Sequence, residues 1–95
     1  MFDKDRYLTI GVHNTIPFLL QIYLWEMINR LPVEKDRVQI FVLKQDGAAK
    51  QVITHIQERP EYEHTYTISL NNPVSSRVYV IDDGDYSTML LADEY

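Results

Sequence analysis

Ninety-five residues are enough for one domain, and 45% hydrophobic with 24% charged side chains is the composition of an ordinary globular chain. A chain this short hides only about 60–65% of the surface its unfolded form exposes, so one small core is available and a second domain is excluded. A net charge of −5 has the wrong sign for a protein that binds by neutralising phosphates, and the absence of cysteine removes disulfides, thiolate catalysis and cysteine-based metal sites.

The first residues, Met1 to Tyr7, hold no positive cluster followed by an apolar stretch, so a secretory signal is not supported and a reducing cytoplasm is the expected compartment. Leu8, Ile10 and Val12 alternate along Tyr7–Val12, which predicts a strand. His13, Asn14 and Thr15 break that pattern with side chains able to cap. Pro17 suits a first helical turn because its missing N–H would be unpaired there. A helix is predicted from Pro17 to Leu31, ended by Pro32. It would span about 22 Å at 1.5 Å per residue, short of the ~30 Å hydrocarbon layer, so no membrane crossing is expected. Leu20, Tyr23, Leu24, Met27, Ile28 and Leu31 form its core stripe. The far side keeps Phe18, Leu19, Ile22 and Trp25, more apolar surface than a solvent-facing helix needs.

From Arg37 onward the period is two. Arg37–Gln45, Gln51–Glu58, Tyr62–Leu70, Arg77–Asp83 and Tyr86–Leu91 are predicted strands rich in Val, Ile, Thr and Tyr. The turns between consecutive members, at Asp46-Gly47, Arg59-Pro60-Glu61 and Gly84-Asp85, are too short for parallel crossovers. The predicted fold is therefore α+β, one helix on a mostly antiparallel sheet, in the order β-α-β-β-β-β-β. A two-residue loop at Gly84-Asp85 sets Val80 opposite Met89 and Val78 opposite Leu91, keeping apolar groups together. At Pro60 a three-residue loop pairs Ile56 with His64 and Val52 with Ile68. A two-residue loop would pair Ile53 with Tyr66 and His55 with His64, and the more apolar first register is preferred. The predicted core is Leu8, Ile10, Leu20, Leu24, Met27, Ile28, Val38, Ile40, Val42, Val52, Ile56, Ile68, Val78 and Val80.

Charge is uneven: residues 1–60 hold eight basic and seven acidic side chains, whereas residues 61–95 hold Arg77 alone against seven acidic ones. Seven tyrosines suit a partly wet sheet face or an interface, and the acidic surroundings argue against an aromatic platform for single-stranded nucleic acid. The three histidines show no helical i, i+4 spacing, and the preferred register separates His55 from His64, so no metal site is expected. Asp82-Asp83-Gly84-Asp85 lacks the alternating oxygens and distal Glu of a calcium loop and reads as an acidic hairpin turn. No phosphate-cradling glycine loop, dinucleotide fingerprint or nucleophile elbow is present, so no cofactor and no catalytic residue is assigned.

The residues Arg6-Tyr7, Gly11-Val12, Ile16-Pro17, Leu24-Trp25 with Ile28, Gln39-Ile40-Phe41, Pro60-Glu61-Tyr62 and Ser76-Arg77-Val78 give the chain a resemblance, over nearly its whole length, to the small proteins of Gram-positive bacteria grouped as domain-of-unknown-function family 960. That resemblance implies a cytoplasmic bacterial α+β protein with one helix on an antiparallel sheet, and it brings no activity, cofactor or catalytic residue. Where the family tends towards Leu-Pro-Asp-Glu near its end, this chain reads Leu91-Ala92-Asp93-Glu94. The residues favour a non-enzymatic protein-interaction module acting on a protein partner or as a homodimer, with Phe18, Leu19, Ile22 and Trp25 as its contact surface. The alternative is a small-ligand binder for an anionic metabolite, or a minor enzyme, with His64, Tyr66 and Arg77 around a shallow cleft. Arg77 itself is expected to pair with a nearby carboxylate.

Overall fold

In the computed structural model, which describes residues 1–95, the chain runs β1 (Asp5–Leu8), α1 (Ile10–Thr15), α2 (Phe18–Asn29), β2 (Val38–Gln45), β3 (Lys50–Gln57), β4 (Tyr62–Ser69), β5 (Ser76–Asp82), β6 (Tyr86–Leu91) and a closing 3₁₀ turn at Ala92–Glu94. The strands form one sheet in the order β1-β6-β5-β2-β3-β4. Every pairing is antiparallel except β1 with β6, which is parallel. The α+β architecture and the sequence of main elements are those predicted.

The first strand is shorter than expected. Thr9 leaves the extended run and caps a helix: its Oγ1 accepts from Val12 N–H at 3.2 Å, and the chain is helical from Ile10. The alternation of Leu8, Ile10 and Val12 is therefore not a strand face. Helical geometry turns Val12 and Ile16 inward and leaves Ile10 76% exposed. Gly11 is needed because a Cβ there would lie 2.5 Å from the Glu94 carboxylate, which folds back over this turn.

Helix α2 sends Leu20, Gln21, Leu24 and Ile28 into the core, with Trp25 and Met27 packed at its flanks. Beneath it lie Phe41 and Leu43 of β2, Ile53 of β3, Val78 and Val80 of β5 and Met89 of β6. Phe2 completes this cluster from the N-terminus; its φ of +64° is a conformation side chains seldom adopt. It is held there by Asp82 Oδ2, which accepts from its N–H at 2.6 Å, and by the Arg6 guanidinium, whose Nη2 donates to its carbonyl at 2.8 Å.

The hairpin at Gly84-Asp85 has the predicted register: Val80 faces Met89 and Val78 faces Leu91. Gly84, with φ +98°, occupies the first loop position, where a two-residue hairpin turn of this kind requires positive φ. The other hairpin corrects the reading. Ile53 pairs with Tyr66 and His55 with His64, the register that was set aside. Val38, Ile40, Val42, Val52 and Ile56 accordingly lie half-buried on the sheet face away from α2, and Gln39, Phe41, Leu43, Gln51, Ile53, His55 and Gln57 take the inner face. Apolarity alone chose the wrong side because the inward polar groups are paired. Gln51 Nε2 donates to the carbonyls of Lys44, Val52 and Val74, and its Oε1 accepts from Val74 N–H at 2.7 Å. A buried amide with such partners loses little on leaving water.

Candidate functional site

The outer edge of α2 is uncovered where Pro17 starts the helix: Phe18 is 74% exposed, Leu19 52% and Ile22 47%. Trp25 differs from these three. The Arg6 guanidinium lies 4.6 Å from the centre of its ring, and Arg6 Nη2 also donates to Asn29 Oδ1 at 2.6 Å, so β1 and the N-terminal residues half-cover the indole. The four apolar residues picked out by sequence thus divide into three open ones and one tied to the body of the fold.

His64, Tyr66 and Arg77 do not share a cleft. His64 and Tyr66 stand on the inner face of β4, with ring centres 4.5 Å apart, at the sheet's edge. Arg77 projects from the opposite face of β5, beside Val42, with β2 and β3 between it and β4. It makes no ion pair, contrary to expectation, and lines a shallow depression with Leu91, Ala92 and Asp93. Tyr62 belongs with His64 and Tyr66. Burial, reinforced by the hydroxyl contact with Tyr66 at 3.3 Å, pushes its phenol up to about 12, so it stays protonated.

The one fully buried titratable ring is His55, sandwiched between Phe41 at 4.4 Å and Tyr62 at 5.5 Å. Gln39 Nε2 donates to Gln57 Oε1 at 2.6 Å and to the Asp36 carbonyl at 2.8 Å. The Gln39 Oε1 is therefore left to accept, and His55 Nε2 carries the proton it donates at 2.6 Å. Nδ1 has no partner, and burial holds the imidazole down at about 4. Gln57 Nε2 extends the network by donating to the carbonyls of Glu34 and Pro60. These amides serve the loop and turn at one end of the sheet, and they place a neutral histidine in the core. No three His, Asp or Glu side chains converge as a metal site would need.

The acidic hairpin is also engaged in structure. Asp82 accepts from Phe2 and Gly84 N–H groups. Burial alone would raise its carboxyl, and those two bonds outweigh it and hold the group below the usual carboxylate range. Asp83 pairs with Arg37 at 3.5 Å.

A second uncovered surface was missed by sequence reasoning, because its residues had been assigned to the core. On the sheet face away from α2, Val38, Ile40 and Val42 of β2 lie beside Val52 and Ile56 of β3 and Ile81 of β5. Tyr7, Tyr79 and Tyr86 continue this face across β5, β6 and β1; Tyr7 meets Tyr86 edge-on at 5.6 Å, and Tyr79 meets Tyr95 edge-on at 5.5 Å. The available signal was the apolar run Ile40-Phe41-Val42-Leu43 within β2, which marks a strand shielded on both sides.

A single helix layer over one side of a six-stranded sheet, with no convergent reactive set, defines a small α+β protein whose distinctive features are surfaces. The family described as "Staphylococcal protein of unknown function (DUF960)" matches residues 5–94, and the chain belongs to it. A crystal structure of a protein of unknown function from Enterococcus faecalis shares the fold with a TM-score of 0.78 at 25% identity, over 98% of this chain and 92% of that one. No curated protein matches significantly. No helix is long and apolar enough to cross a membrane.

Proposed function

We propose that this protein is a non-enzymatic protein-interaction module that uses the outer edge of α2 as a contact surface. One observation carries the reading: Phe18, Leu19 and Ile22 form a contiguous apolar edge on a rigid helix, each half exposed or nearly so. Contiguous apolar surface of this kind in a small domain marks a place where another molecule sits. The ligand-binding alternative has less support, because His64 and Tyr66 lie on one face of the sheet and Arg77 on the other.

The test places a photo-crosslinking aromatic residue at Leu19, at Ile22 and, as a control, at Asp46 in the β2–β3 turn, followed by irradiation in living cells. Adducts are expected from the two helix positions and not from the turn. Ile22→Glu should abolish the Leu19 adduct while changing stability by no more than about 0.5 kcal/mol, as surface substitutions do. A correctly folded protein giving no adduct from either helix position ends this reading.

A further inference from the structure

The sheet face opposite α2 goes beyond the helix-edge reading, because it is a separate surface and its charge pattern specifies its occupant. We propose that this face is the contact surface of a homodimer, in which a second copy lies face to face with its strands running in the opposite direction.

Three observations carry the argument. The first is composition. An antiparallel sheet with one solvated side shows apolar residues inward and polar residues outward. β2 instead places Val38, Ile40 and Val42 outward behind Gln39, Phe41 and Leu43, and β3 adds Val52 and Ile56 to the outward set. The tyrosines that border this patch are the residue type enriched where protein surfaces meet.

Size is the second. The molecule measures 37 × 27 × 20 Å, and the thin dimension matches one sheet and one helix layer. Its broad face is therefore of the order of 800 Å², the area each partner contributes to a standard stable interface.

The third is charge. Lys44 and Lys50 stand at one end of β2 and β3, with Asp46 in the turn between them; Glu58, just past the end of β3, and Glu63 of β4 stand at the other end. None of Lys44, Lys50, Glu58 and Glu63 is engaged in an ion pair. Two identical faces can meet about a two-fold axis lying along the strands or across them. An axis along the strands would set lysines on lysines. An axis across them reverses the strands and brings the lysine end of each copy to the glutamate end of the other. Packed sheets keep their strands within about 30° of alignment, which preserves that end-to-end match. A second copy is thus the partner whose charge complements this face.

Sedimentation equilibrium of the full chain, from micromolar to near-millimolar concentration, tests this directly. The wild type should form a dimer. Lys44→Glu/Lys50→Glu makes both ends acidic and Glu58→Lys/Glu63→Lys makes both ends basic. Each variant alone should dissociate about tenfold more readily or worse, whereas an equimolar mixture of the two should form a heterodimer. All four positions are solvent-facing, so the folds should survive, and circular dichroism checks that they do. A wild type that is monomeric at every concentration overturns the proposal. So does a dimer that both charge variants preserve. If Ile22→Glu then dissociates that dimer, the contact lies on the helix edge, and the helix-edge reading stands while the sheet-face proposal falls.

Discussion

At His55 the chain commits a titratable ring to the core in its neutral form. An unfolded histidine takes up a proton near pH 6.5, whereas in the fold burial postpones this until about 4, and Nδ1 has no acceptor to reward it. The folded pKa is the lower one, so the unfolded state binds more protons in that window. Stability is thus complete above about pH 6.5 and falls as pH drops towards 4, by an amount on the order of 3 kcal/mol. Urea unfolding at closely spaced pH values should show this slope already between pH 6.5 and 5, before most carboxylates titrate. His55→Gln, which keeps a donor for Gln39, should flatten it. Sequence patterning could not reveal this role, because a histidine alternating with Ile53 and Gln57 is equally compatible with either face of β3 until its partner Gln39, itself held by Gln57, is placed.

Among the elements, α1 shows how one side chain redirects the chain. Thr9 Oγ1 accepts from Val12 N–H and donates to Glu94 Oε1 at 2.6 Å, so one hydroxyl starts the helix and anchors the 3₁₀ turn. That bond from Thr9, followed by the one from Leu91 N–H, holds the Glu94 carboxyl below its usual range. Thr9→Ala should cost about 1 kcal/mol, read as a lower urea midpoint with an unchanged slope. Other elements were legible in the sequence. The helix over Phe18–Asn29 follows from its apolar stripe and flanking prolines, and the β5–β6 register follows from Gly84-Asp85 because only one alignment kept Val80 with Met89. The facing of β2 and β3 was not legible. Ile40-Phe41-Val42-Leu43 is apolar on both sides, and the inner face also takes four buried polar side chains, Gln39, Gln51, His55 and Gln57, which are paired with one another or with backbone groups. The candidate sites fared similarly: Phe18, Leu19 and Ile22 stood out as unexplained apolar residues, while the sheet face hid among residues taken for core.

For the whole molecule, the N-terminus is a structural component. Phe2 is 1% exposed within the main cluster, and its N–H reaches Asp82 on β5. Removing the ring leaves a void against α2 and the sheet that rigid neighbours fill only in part. Phe2→Ala is expected to destabilise the protein by about 3–5 kcal/mol, measured by chemical denaturation. In a domain with a single small core that is a large share of the total, and some variants of this type should be partly unfolded at physiological temperature.

The parallel pairing of Asp5–Leu8 with the strand at Tyr86–Leu91 carries a further consequence, for biosynthesis. Within this domain the strand translated first finds its hydrogen-bonding partner only in the strand translated last. Until Tyr86–Leu91 is free to pair, the nascent chain carries Phe2 and an unpaired strand in solvent. Completion of this domain therefore waits for its sixth strand, and any delay in freeing Tyr86–Leu91 to pair prolongs the interval in which those groups are open to chaperones and proteases.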